Sequence, residues 1–269
     1  MSPAVALPIV LHGAAGRMGR DVAAILRDDP ACALVRAVDG LGHPDAGKPL
    51  TDARGRTAPP AIETALGDLP PGAVVIDFST PAALRALIEA LLETPAPLVS
   101  GTTGLGPDEE SRLDALSRFA PVIQAPNMSV GVAAVRAAAA MLAGALGDGF
   151  DLEVLEIHHS AKKDAPSGTA LAIAKGLAQA RGSDAAKPVV RGTSARAAGE
   201  IGVAALRGGA VVGDHTVYFL GSDERVEITH RAMSRRLFAR GAVRAAKWIA
   251  GQPPGRYPID AILGITPRP

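Results

Sequence analysis

Short β-branched runs alternate with longer Ala- and Leu-rich stretches through the first half of the chain, the pattern of a parallel sheet covered by helices on both faces. Strands are predicted at 9–11, 34–38, 74–78, 98–100 and 122–124, and helices at 18–27, 81–93 and 107–119. Pro81 and Pro107 suit a first helical turn, where a missing N–H costs nothing, and Thr80 is placed to cap the helix that Pro81 opens.

The pattern changes after Asn127. An Ala-rich helix over 130–146 is followed by strands at 152–158, 202–206, 211–220 and 225–230, with Gly208-Gly209 and Gly221-Ser222-Asp223 as turns. These predict a second, mostly antiparallel sheet. Residues 181–199 show little periodicity and are expected to form a lid or an inter-subunit arm. A last helix over 234–250 carries Leu237, Phe238, Ala242, Ala245, Trp248 and Ile249 near helical spacing and stops at Gly251 and Pro253-Pro254. Its expected role is packing.

Composition narrows the function classes. The 269 residues exceed one domain of roughly 100–200, so two domains are expected. A net charge of +1 and 3% aromatics offer neither a basic footprint nor a stacking platform, so no nucleic-acid partner is expected. Cys32 is the lone cysteine, read as an inert core residue in a reducing compartment. The apolar run at 4–11 has no basic leader and passes into a glycine turn, so it reads as a first strand rather than a signal. Arg136 and Asp148 bracket the longest apolar stretch, and no membrane partner is expected. The chain reads as cytoplasmic.

Gly13-Ala14-Ala15-Gly16-Arg17-Met18-Gly19 follows the first predicted strand and opens a helix. Glycines there let backbone amides approach a pyrophosphate at the helix N-terminus. The spacing is G-x-x-G-x-x-G rather than G-x-G-x-x-G, and alone it also describes a tight turn. Asp39 ends the second predicted strand, where an acidic side chain accepts from adenosine ribose hydroxyls; a solvated loop aspartate is the alternative. Glycine turn, acid and strand order together favour a dinucleotide. Gly40 leaves no basic side chain beside Asp39 for a 2′-phosphate, although Arg17 or Arg36 can reach one. NADH is therefore expected to serve at least as well as NADPH. Gly101-Thr102-Thr103-Gly104 and Ala125-Pro126-Asn127-Met128 end the fourth and fifth strands, on the edge where open α/β sheets bind ligands.

The densest polar cluster runs from Glu156 through His158, His159, Lys162, Lys163 and Asp164 to Ser167, Gly168 and Thr169, leaving a strand and entering a helix at 170–177. Histidine exchanges protons near neutrality, and a lysine supplies charge or a second donor. Ser167, Gly168 and Thr169 offer a hydroxyl cap and backbone amides, a cradle for a carboxylate. A capped helix behind a polar loop is the competing reading; a metal site is disfavoured by the ligand spacing. His215 and His230 lie in predicted strands and read as structural.

The motifs Gly13–Gly19, Ile76-Asp77-Phe78-Ser79, Gly101–Gly104, Ala125–Gly131, Glu156–Thr169 and Gly213-Asp214-His215-Thr216 resemble, in order, those of the 4-hydroxy-tetrahydrodipicolinate reductase (dihydrodipicolinate reductase) family. The resemblance implies an α/β chain with a Rossmann-type dinucleotide-binding domain, 1–126 and 234–269. It also implies an α+β substrate-binding and tetramerisation domain, 127–233, with a mixed, mostly antiparallel sheet. It implies NAD(P)H-dependent reduction of a cyclic dicarboxylate on the diaminopimelate route to lysine, by a homotetramer. His158 is then the proton donor/acceptor and Lys162 a proton donor, while His159, Gly168 and Thr169 hold substrate. Cofactor contacts carry over to Gly13, Ala14, Ala15, Gly16, Arg17, Met18, Asp39, Gly101, Thr102, Thr103, Ala125, Pro126, Asn127 and Met128. Many members have Glu-Arg where this chain has Asp39-Gly40, and Phe or Tyr at the position of Met128. Two rival classes are a dehydrogenase acting on an aldehyde or sugar and a non-catalytic NAD(H) sensor. Thiol-type aldehyde chemistry needs a cysteine in the second domain, where there is none. A sensor has no need of the His-Lys cluster.

Overall fold

The structure is a computed structural model that describes residues 5–182, 188–192 and 195–264. Two compact units emerge: Met1–Val130 with Arg236–Pro269, and Gly131–Arg235.

The first unit contains β1 (Leu7–His12), α1 (Arg17–Asp28), β2 (Cys32–Val38), β3 (Pro49–Thr51), β4 (Thr57–Glu63), β5 (Val74–Asp77) and α2 (Pro81–Glu93). It continues through β6 (Leu98–Ser100), α3 (Pro107–Ser117) and β7 (Pro121–Gln124). After the excursion into the second unit, α6 (Arg236–Ile249) and β13 (Gly255–Tyr257) complete it. The eight strands run β13-β7-β6-β5-β1-β2-β4-β3, parallel except for the β3–β4 pair. The chain moves outward one way from β1 to β2 and the other way from β5 to β6. The crevice at that switch lies at the carboxyl ends of β1 and β5.

The predicted elements of this unit all form, with ends shifted by three residues or fewer. Thr80 caps α2, its hydroxyl accepting from Ala83 N–H. Leu84, Leu87, Ile88 and Leu91 recur at helical spacing and are buried, each contributing about 1.5–3 kcal/mol over exposure. Three strands escaped the sequence reading. β3 and β13 have three residues each, and β4 contains Pro59-Pro60, whose missing donors argue against a central strand.

The second unit holds α4 (Val130–Leu146, entering from the first unit at Val130), β8 (Asp151–His158), α5 (Gly168–Ala180), β9 (Pro188–Val190), β10 (Ile201–Arg207), β11 (Asp214–Leu220) and β12 (Arg225–Arg231). Its sheet runs β12-β11-β8-β10-β9. The sheet is mixed, but two of its four pairings are parallel where mostly antiparallel pairing was expected. The cause is α5, a crossover that returns the chain to pair β10 in parallel with β8. Val135, Ala139 and Ala143 of α4 and Ile173, Ala174 and Leu177 of α5 pack on one sheet face, against Leu152, Val154, Val203, Val217 and Phe219. With the turn to Gly149, α4 is long and apolar enough to cross a membrane by length and composition, a test that core helices also pass.

The segment expected to be a lid or arm is in part a strand. β9 adds to the sheet edge, and Arg191 bridges Glu153 at 2.5 Å and Glu200 at 2.8 Å. Arg196 joins the same cluster through Glu153 and Asp151. Residues 183–187 and 193–194 of that segment, and Ala4 of the opening run, lie outside the described residues.

Candidate active site

In the first unit the chain leaves β1 at Gly13, whose φ of +74° and crowding exclude a side chain: a Cβ there would lie 2.5 Å from the Phe78 carbonyl oxygen. The turn is held from behind. Ala14 N–H donates to Val38 O at 3.1 Å, Ala15 N–H to Asp39 Oδ2 at 2.7 Å, and Gly16 N–H to Gly13 O at 3.2 Å. Gly16 is the N-cap of α1, so the amides of Arg17, Met18 and Gly19 have no helical acceptor. Gly19 sits against Ala14, where a Cβ would fall 2.6 Å from its carbonyl oxygen. Asp39, predicted as a ribose acceptor, thus also clamps the turn.

Two clefts flank this turn. The larger, about 370 Å³, gathers Arg17, Met18, Gly101, Thr102, Thr103, Pro126 and Met128 of the predicted residues, and adds Phe78, Ser79 and Phe238. The other, about 290 Å³, brings Asp39 and Gly40 together with His12, Leu41, Thr64, Ala65, Ala83 and Ala86. Gly13, Ala14, Ala15, Gly16, Ala125 and Asn127 line neither; they shape the loops between. Ala125 N–H donates to Ser100 O, and the Asn127 side chain accepts from Ser129 N–H. Arg36 is withdrawn from both clefts, donating to the carbonyl oxygens of Leu66 and Asp68 and pairing with Glu63.

Beneath the crevice lies a carboxylate that the sequence reading gave no role. Asp77, fully buried, accepts from His12 Nδ1 at 2.7 Å and Ser79 Oγ at 2.6 Å on one oxygen. Its other oxygen accepts from Ser100 Oγ and Thr102 Oγ1, both at 2.7 Å. Burial raises its pKa, but His12 and the hydroxyls outweigh burial and hold it below the ordinary value. Asp77 ties the ends of β1, β5 and β6 into one rim.

In the second unit the predicted cluster is built around Glu156. Leu152, Val154, Glu156 and His158 share one face of β8, so the carboxylate and the imidazole continue the buried side of the sheet. Glu156 Oε2 meets His158 Nδ1 at 2.5 Å, and Arg207 grips both carboxylate oxygens at 2.8 Å. Ser167 N–H donates to Oε1 at 2.9 Å. Burial raises the Glu156 pKa, and Arg207, His158 and the Ser167 amide more than offset it, so the group is ionised well below neutrality. An ionised carboxylate only accepts, so Nδ1 of His158 carries hydrogen and Nε2 is left for exchange. Gly213 keeps Nε2 clear: a Cβ there would lie 2.8 Å from it.

Around this pair, the His159 carbonyl accepts from Lys162 N–H at 3.1 Å, closing a turn from which Lys162 Nζ reaches Asp164 at 2.8 Å. Ser167 caps α5, its hydroxyl accepting from Ala170 N–H, and Gly168 and Thr169 occupy the first two helical positions. Arg207 also donates to the Asp164 carbonyl at 2.5 Å, which fixes this loop to the carboxylate beneath. His215, read as structural, packs edge-on against His158 with ring centroids 5.2 Å apart. Burial first, then the charge of His158, lowers its pKa to about 4, so it is neutral near pH 7. His230 faces it across the β11–β12 ladder. Among the described residues, no group of three or more His, Cys, Asp or Glu is placed to hold a metal.

Comparison with known proteins agrees across the chain. The family profile described as dihydrodipicolinate reductase, N-terminus matches residues 7–128, and that of the C-terminus matches 131–263. The 4-hydroxy-tetrahydrodipicolinate reductase of Anaeromyxobacter dehalogenans is 44% identical over 263 residues, covering 96% of this chain and 97% of that protein. The enzyme of the same name from Rubrobacter xylanophilus is 43% identical over 265 residues, covering 96% and 99%. Among solved structures, dipicolinate-bound dihydrodipicolinate reductase from Paenisporosarcina sp. TG-14 shares the fold with a TM-score of 0.73 at 20% identity, covering 96% of this chain and 100% of that one.

Proposed function

The chain belongs to the dihydrodipicolinate reductase family, and from that membership we infer an NAD(P)H-dependent 4-hydroxy-tetrahydrodipicolinate reductase of the diaminopimelate route to lysine. The observation that carries the reading is the oriented His158, backed by Glu156 and Arg207 beside the opening turn of α5.

The residues at the glycine turn fit a dinucleotide: a side chain at Gly13 would occupy the space the turn needs, and amides without a helical acceptor at Arg17 and Met18 suit a pyrophosphate. Gly13 through Met18 would hold the phosphates, and Asp39 the adenosine ribose. Gly101, Thr102, Thr103 and Ala125 through Met128 would hold the nicotinamide end. When bound, NAD(P)H supplies a hydride. The protein's own part is the proton and the placement of the substrate. His158 exchanges a proton at Nε2, its tautomer set by Glu156. Lys162 is a second donor whose ammonium is drawn from Asp164 toward a substrate carboxylate. His159 and the amides of Gly168 and Thr169 take the remaining carboxylate oxygens.

The second unit is the substrate-binding and tetramerisation domain in this reading. The sheet face turned away from α4 and α5 carries Leu155, Ile157, Leu206, Tyr218 and Leu220, with Leu206 52% exposed. A second copy covering that face, within a cytoplasmic homotetramer, accounts for it. Sedimentation velocity is expected to give four times the chain mass; a monomer at micromolar concentration would refute the assembly.

Activity is tested by following NADH and NADPH oxidation while substrate is generated in place from pyruvate and aspartate semialdehyde. Oxidation of both is expected, with a KM for NADH no higher than that for NADPH, because Arg36 is engaged elsewhere and Gly40 replaces a basic side chain. No oxidation of either cofactor would overturn the activity; a KM for NADH far above that for NADPH would overturn the preference.

A further inference from the structure

The chain of hydrogen bonds through Asp77 ends at a side chain that the family motifs do not include. His12 is the last residue of β1, and it lines the smaller cleft together with Asp39. Its Nδ1 is engaged by Asp77 at 2.7 Å, and the opposite oxygen of the same carboxylate holds Thr102, which lines the larger cleft. Three hydroxyls already donate to this ionised carboxylate, so it can only accept from the ring, and Nδ1 carries the hydrogen. The tautomer is therefore fixed. Nε2 has no protein partner among the described residues, nor is it sealed from solvent. With Nδ1 carrying the hydrogen, Nε2 of the neutral ring is an acceptor on a residue that lines this cleft.

Resting on the dinucleotide reading of the glycine turn, we propose that His12 is a cofactor-binding residue of this enzyme, its Nε2 hydrogen-bonding the adenosine half of the dinucleotide. The cleft it lines is otherwise mostly apolar: Val38, Leu41, Ala65, Ala83 and Ala86 suit a flat base and offer few polar side-chain partners. Asp39, the acid that lines the same cleft, already accepts from the amides of Ala15 and Gly40, one on each oxygen. His12 thus supplies a polar handle of defined tautomer where side-chain partners are few. Because Asp77 holds both His12 and Thr102, the two ends of the dinucleotide are gripped by one hydrogen-bonded unit.

Asn and Gln separate binding from structure, since the Asn amide reproduces Nδ1 and the Gln amide Nε2. In His12→Asn the Asp77 contact is kept and the Nε2 acceptor is lost. Its Kd for ADP-ribose and for NADH, measured by calorimetry, is expected to rise about five- to tenfold, the worth of one hydrogen bond. Its thermal midpoint is expected to stay within about 2 °C. His12→Gln is expected to recover ADP-ribose binding to within about threefold of the parent. In the parent, the His12 Nε2 ¹⁵N resonance is expected to shift on saturation with ADP-ribose, a readout that needs no variant. Parent-like ADP-ribose affinity in His12→Asn, or a resonance that does not move, overturns the role of His12 while leaving the glycine-turn site standing. A parent that binds neither NADH nor ADP-ribose overturns that site, and this proposal with it.

Discussion

Replacing His158 by Gln is expected to lower kcat by about 10²- to 10⁴-fold, the range that a positioned general acid or base supplies. The Kd for NADH is expected to stay within about twofold, because no His158 atom belongs to the glycine-turn site. The two ring nitrogens of His158 have different roles. Nδ1 is committed to a carboxylate that is fully buried and doubly held by Arg207, so only Nε2 can gain or lose a proton during turnover. A Gln amide fills similar space and can hydrogen-bond at the same place, but it cannot carry the proton across. Lys162→Ala is expected to cost a comparable factor, with a rise in substrate KM, since the ammonium serves both as donor and as charge partner for a dicarboxylate. Stopped-flow measurement of NADH oxidation together with a binding titration separates these outcomes. Near-parent turnover in both variants would remove His158 and Lys162 from the chemistry.

How far the sequence leads to this site depends on chain distance. The glycine turn, the strand ends at Gly101 and Ala125 and the His158 segment are contiguous runs whose residue types carry their own physics. Asp77 and His12 are 65 residues apart, and Glu156 and Arg207 are 51 apart. Only the β1–β5 and β8–β10 pairings bring them together, so neither pair appears in any local pattern. One indication was available: Leu152, Val154, Glu156 and His158 alternate on a single strand face, and an acid in a buried register needs a cationic partner. Arg207, paired with His158 in the β8–β10 register, is that partner. The strand carrying Pro59-Pro60 is different in kind. It forms near the sheet edge between β2 and the short β3, where tertiary context overrides a composition that argues for a loop.

The same buried pair makes Glu156→Gln the most informative structural substitution. Removing one charge leaves the Arg207 guanidinium, 18% exposed, without its bidentate partner. Breaking a buried ion pair from one side costs about 3–5 kcal/mol, and at about 2–4 °C per kcal/mol the thermal midpoint is expected to fall by roughly 6–20 °C. Turnover is expected to fall as well, by about 10²-fold or more, because a Gln amide can donate to Nδ1 and move the His158 hydrogen to Nε2. Adding Arg207→Met to Glu156→Gln separates the two effects: much of the lost stability is expected to return while kcat stays low. The pH dependence supplies a sign. With its pKa held below the ordinary carboxylate value, Glu156 contributes stability that is complete above the unfolded pKa of about 4.3 and is lost as pH falls through the lower folded value. The gap in thermal midpoint between parent and Glu156→Gln is therefore expected to be widest near neutrality and to narrow below that pH. A gap that stays constant down to acid denaturation would mean that the carboxylate's charge is not what holds Arg207 and His158 in place.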